Sequence, residues 1–351
     1  MKPELEKLCQ EYIADREEVG KAFRWDNSAL HTVCANIFCA CGKAADSERL
    51  KDCHRIIKEN TGFLSKFRSK KIRSVLASML SLEEKPEDRM ALANEYFHLL
   101  KKQFKKTEYL VLTAFLLADL ADQTLTEETV SRGKEIYRGM NQKHRILTNK
   151  TDSVFAMLMA YSGKTAEELI GKTEVCYQAL KKTFSGSGAQ TSAQVLAMAA
   201  GAPEEKTRRV IELYDALREA GIKYGHSDEL APLAALSLAD TPLSALTEEI
   251  KEADDFLKSR KGFDGTKESE QAERAMYAVM IVSDQYAGTS QVNITVTTNT
   301  IDMLISKQQA SRVSLLFNLL QLAVKLLPEP KDQTETKTDE AEQEQEQKEE
   351  K

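Results

Sequence analysis

The chain is poor in cysteine, proline and tryptophan, with six, seven and one in 351 residues. So few cysteines in so long a chain exclude a disulfide framework. The opening Met1-Lys2-Pro3-Glu4-Leu5 has no apolar stretch after its charge, so no secretory signal is expected. The thiols are therefore expected to be reduced packing groups, and the expected address is cytoplasmic. No apolar run is long enough to cross a bilayer: the stretch from Val313 to Leu327 is interrupted by Asn318, Gln321 and Lys325. No membrane partner is expected on that ground.

Catalytic signatures are also missing. There is no Gly-x-Ser-x-Gly and no His-Glu-x-x-His, and the histidines are scattered at 31, 54, 98, 144 and 226. Two Gly-Lys-Thr triplets, at 163–165 and 171–173, lack the glycine a phosphate loop needs five residues earlier, where Leu158 and Ala166 stand. His31, Cys34 and Cys41 fall within about 80° on one helix, with Cys39, Cys53 and His54 near in sequence, but their spacing matches no paired-cysteine zinc site. Packing thiols are the expectation, with no metal and no cofactor. The chain is expected not to be an enzyme.

What is present is repetition. About every 40 residues an apolar helix, a short break and an amphipathic helix recur. In the amphipathic helix an anchor residue stands three before an aliphatic one: His54 and Ile57, Phe97 and Leu100, Tyr137 and Met140, Tyr177 and Leu180, Tyr214 and Leu217, then a degenerate Asp254 and Leu257. First helices such as Val154–Ala160 are apolar on nearly every side and must be sandwiched. Second helices such as 210–219 set Val210, Tyr214 and Leu217 against Glu212, Asp215 and Arg218 and should form a solvated wall. Gly42, Gly163, Gly201 with Pro203, and Thr241-Pro242 mark the ends of first helices.

The expected fold is all-α: an α-solenoid of about six to seven helical hairpins over residues 1–327. A cap covers about 3–20 and a closing helix about 300–327, after a β-branched interruption from Gly288 to Thr298. Residues 328–351 should be a disordered acidic tail. Within it, 331–351 holds nine acids against four lysines, which leaves 46 acids and 45 bases in the rest. Of the formal net charge of −6, residues 331–351 thus hold −5, and the body is close to neutral.

One basic concentration stands out, Lys66, Arg68, Lys70, Lys71 and Arg73, flanked by Phe63 and Phe67. Such density can grip phosphates. The acidic tail could also fold back on it. The pairs Lys101-Lys102, Lys105-Lys106 and Lys181-Lys182 follow second helices, where cations meet the helix dipole favourably.

Several segments resemble an uncharacterised bacterial family, a domain of unknown function: Phe23-Arg24-Trp25-Asp26-Asn27, Asp152-Ser153-Val154-Phe155-Ala156, Arg209-Val210-Ile211-Glu212-Leu213-Tyr214, and Asp254-Asp255-Phe256-Leu257 with Lys261-Gly262-Phe263. The resemblance spans roughly residues 10–326 and implies a bacterial cytosolic protein without assigning any residue a role. The expected function is that of a non-enzymatic interaction or scaffold protein holding a protein or peptide partner. The alternative is a nucleic-acid-binding repeat protein that uses 66–73. The sequence sets no oligomeric state.

Overall fold

The computed structural model describes residues 1–286 apart from 120–123, 149, 151, 162–163, 200 and 228. The expected interruption after Gly288, the closing helix and the acidic tail lie outside the described residues.

Among these residues there are 14 α-helices, one 3₁₀ turn at Lys66–Arg68 and no strand. The odd-numbered helices are α1 (Pro3–Ala22), α3 (Ser47–Glu59), α5 (Pro86–Leu100), α7 (Glu127–Lys143), α9 (Ala166–Leu180), α11 (Pro203–Glu219) and α13 (Leu243–Lys258). The even-numbered ones are α2 (Ser28–Cys41), α4 (Arg73–Ser81), α6 (Glu108–Asp119), α8 (Asp152–Ala160), α10 (Gly186–Met198), α12 (Leu230–Leu236) and α14 (Glu268–Tyr286).

The two sets differ as their sequences require. Every residue of α8 and of α12 is buried, because apolar side chains on all sides need neighbours on all sides. Helix α3 buries a stripe of Leu50, Cys53, Ile56 and Ile57 and leaves its charges to water. Starts are set by capping side chains: Asp46 accepts from the Arg49 N–H, Thr126 from Thr129 and Thr165 from Glu168. Helices α1, α5 and α11 instead begin on a proline, whose missing N–H costs nothing in the first turn.

Each odd helix packs against the even helix that follows it. The odd helices also pack side by side in order, α1 on α3 through to α11 on α13, and α13 packs on α1. Helix α14 touches both α1 and α2. The helical hairpins expected from the sequence therefore form an array that closes on itself, seven odd helices around a layer of even ones. Residues 3–20 are no cap; they belong to α1, which pairs with α2 and completes the ring.

The anchor residues mark the junctions between odd helices. An aromatic or histidine ring just past one odd helix meets the anchor of the next: Phe23 with His54, Phe67 with Phe97, Phe104 with Tyr137, His144 with Tyr177, and Phe184 with Tyr214, at centroid distances of 5.6, 5.2, 6.0, 4.2 and 5.0 Å. Tyr177 and Tyr214 are buried by this packing, while Phe97 and Tyr137 are half-buried. At the degenerate anchor, Asp254 is gripped through both oxygens by Arg274 of α14, at 2.8 and 3.1 Å. At the closure, Arg16 stands three residues before Val19 and lays its guanidinium 4.9 Å from the centre of the Phe263 ring. Tyr12 lies fully buried beside it, between Phe263 and Tyr277.

Asp15 links α1 to the start of α3 by accepting the Ala45 N–H at 2.8 Å, and burial pushes its carboxyl up to about 6. A raised carboxyl pKa means the folded state holds the proton more firmly. Stability therefore falls as pH rises from the unfolded value through about 6. Asp15→Asn keeps an acceptor and should stabilise the protein by about 1–2 kcal/mol near pH 8, with the gain gone near pH 4. Melting curves at the two pH values check it, and an equal gain at both would rule out ionisation as the cause.

Candidate interaction face

Antiparallel hairpins in a ring make every odd helix run the same way. The connections that follow odd helices therefore gather at one end, and those that precede them at the other. Charge separates accordingly. Among described residues, the seven connections after odd helices hold 17 Lys and Arg against three Asp and Glu. The six opposite connections hold three basic residues and four acidic ones. The last turns of odd helices add Lys21, Lys58, Lys143, Arg218 and Lys258 to the basic end, offset in part by Glu59, Glu219 and Asp255 there and by Glu108, Asp152, Glu268 and Glu270 at the starts of even helices. Their first turns place acids such as Glu48, Glu87, Glu167 and Glu204 at the other, while Glu127 of α7 reaches Lys102 of the basic connections at 2.5 Å. Each choice suits its own helix dipole, and in a parallel set these local choices sum to a polarised molecule.

The five residues of the basic segment divide. The Lys66 ammonium lies 3.0 Å from the Glu108 carboxylate at the start of α6. Arg68 donates to the backbone carbonyls of Lys58 and Thr61, satisfying the exposed end of α3. Arg73 pairs with Asp26 and ties α4 to the connection after α1. Lys70 and Lys71 are exposed. Segment 66–73 is therefore partly a joint of the fold, and the wider face carries more exposed charge: Lys105, Lys106, Arg145, Lys150, Lys181, Lys182 and Lys223 are all exposed.

The same end bears apolar side chains that the sequence reading did not single out. Trp25 is 83% exposed, Leu64 91% and Ile146 98%; Phe63, noted there only as a flanking aromatic, is 85% exposed. Its neighbour Phe67 is core, packed against Phe97 and Phe115. The Arg24 guanidinium sits 4.5 Å from the centre of the Trp25 ring.

The other candidates disperse. His31 bonds the Phe23 carbonyl at 2.9 Å. Burial pushes the Cys34 and Cys41 thiols up to about 12 and takes His54 down to about 4, so neither thiolate nor imidazolium chemistry is poised there. Among the described residues no group of three His, Cys, Asp or Glu is arranged to hold a metal ion. Two acids in the first turns of even helices are likewise engaged within the fold: Glu108 of α6 meets Lys66, and buried Asp152 of α8 accepts from Gln190 at 3.3 Å and Gln194 at 2.5 Å. A cavity of about 300 Å³ at the closure is walled by Arg16, Thr32, Glu273, Arg274 and Tyr277, whose polar groups bond one another or nearby backbone.

Fold and face together define an all-α protein whose distinguishing chemistry is spread over one end rather than gathered in a cleft. The chain belongs to the family described as protein of unknown function DUF4003, whose model matches residues 16–310. It is also similar to the uncharacterized protein YeaA of Bacillus subtilis (strain 168), 23% identical over 248 residues, which cover 68% of this chain and 74% of YeaA. No solved structure matches. No described helix is long and apolar enough to cross a membrane.

Proposed function

We propose that this is a non-enzymatic interaction protein whose basic end receives an anionic partner. The observation that carries this reading is the separation of charge, 17 basic residues against three acidic ones among the described residues of the connections at one end. A near-neutral body gains a strong local field only by such placement. The protein or peptide partner expected from the sequence fits where that partner is acidic. The even helices are less suited to the role, because α8, α12 and most of α10 are buried. Nucleic acid is the second reading, favoured by exposed Lys70 and Lys71 beside the ring of Phe63.

The test is retention on immobilised heparin. The protein should be held at low salt and released as salt rises, since exposed charges are screened beyond about 8 Å at physiological ionic strength. A Lys105→Glu/Lys106→Glu/Lys181→Glu/Lys182→Glu variant should elute at clearly lower salt with unchanged helicity. Passage of the parent protein through the column at low salt would overturn the proposal.

A further inference from the structure

We infer that the anionic partner is the surface of a lipid bilayer carrying acidic headgroups, with Trp25, Phe63, Leu64 and Ile146 entering the interface. This rests on the reading of the basic end as an anion-docking face and names its occupant. Among the described large hydrophobic side chains, these four are the ones more than half exposed, and all four belong to connections that follow odd helices. They come from the connections after α1, α3 and α7, separated by up to 121 positions in the chain, from Trp25 to Ile146. Each lies near a cation: Arg24 adjoins Trp25, Lys66 follows Leu64 by two, and Arg145 adjoins Ile146.

The exposure itself selects among partners. A hydrophobic anchor for a protein partner is usually part of a packed, desolvated patch, whereas these side chains project from loop tips with 83–98% of their surface open. A bilayer needs no pocket from the protein, only apolar atoms at a common level and cations around them. Single-stranded nucleic acid could stack on Trp25 and Phe63, but Leu64 and Ile146 have no ring face to offer a base. Lysine and arginine attract acidic headgroups within a Debye length, and inserted apolar groups add a contact that salt does not screen. The chain would lie on the surface without spanning it. No described helix is long and apolar enough to span a membrane, and a contact made by scattered loop tips leaves no apolar run in the sequence to betray it.

The single tryptophan is itself one of the four, so its emission reports insertion directly. The full chain is mixed with vesicles of phosphatidylcholine, or of equal parts phosphatidylcholine and phosphatidylglycerol, and followed by flotation and fluorescence. Flotation with the acidic vesicles alone and a shift of emission to shorter wavelength are expected. Phe63→Ser/Leu64→Ser and Ile146→Ser should each weaken binding about tenfold with unchanged melting, because exposed side chains contribute little to the core. Retention on heparin without flotation would sink the bilayer and leave the anion-docking face intact. Binding of a single-stranded oligonucleotide in place of vesicles would transfer the face to nucleic acid and also overturn the inference. Failure on heparin, vesicles and oligonucleotide alike would end both readings.

Discussion

Asp254→Ala should destabilise the protein by about 3–5 kcal/mol, because it strands a buried guanidinium. Arg274 is 7% exposed, and its two bonds to Asp254 are supported by a third donation to the Phe263 carbonyl at 3.1 Å. With the carboxylate gone, that carbonyl cannot neutralise the charge, and water must enter or α14 must shift. Asp254→Asn keeps an acceptor and should cost less than Asp254→Ala. The double change Asp254→Leu/Arg274→Met removes both charges and should recover most of the loss, since a buried pair contributes little beyond well-packed apolar groups. Urea unfolding of the four proteins decides it. An Asp254→Ala protein with the parent's midpoint would show that the pair is solvated and unimportant, and a double variant as unstable as the single one would show that something other than the stranded charge is at fault.

This ion pair also shows where the sequence is legible and where it stops. The spacing marks position 254 as an anchor, yet an aspartate there reads as decay of the pattern, because its partner Arg274 stands on the next helix in no register a local reading can use. The sandwiched helices were plain from unbroken apolar stretches such as Val154–Ala160, and the breaks from Gly42 and Thr241-Pro242, since these are local effects. Closure was not local. Tyr12 and Tyr277 are 265 positions apart, and nothing near either one announces the other. The candidate site divides the same way. Lys101 to Lys106 and Lys181-Lys182 were visible as helix-dipole partners, but only the shared direction of the odd helices turns them into one face. Leu64 and Ile146 carry no signal at all, because hydropathy gives a leucine on a loop tip the value of a leucine in the core.

Tyr12→Ala should cost about 3–5 kcal/mol and should do so for the whole ring. The side chain is fully buried, with ring centroids 6.3 Å from Phe263 and 6.4 Å from Tyr277. Its hydroxyl is buried without a hydrogen-bond partner, so Tyr12→Phe removes a polar burden and should be neutral or slightly stabilising. That control separates packing from the hydroxyl. The wider consequence follows from topology. In an open stack each hairpin leans only on its neighbours, so damage near one terminus frays that terminus and leaves the far one protected. In a closed ring α1 is also the neighbour of α13 and α14, which Lys2 strengthens by pairing with Glu249 at 2.6 Å while Tyr286 donates to the same carboxylate at 2.7 Å. Amide exchange should therefore speed up in α1, α13 and α14 together when Tyr12 is truncated. Exchange that quickens in α1 alone, with α13 and α14 as slow as in the parent, would mean that the two ends of the array stand independently and the closure carries no load.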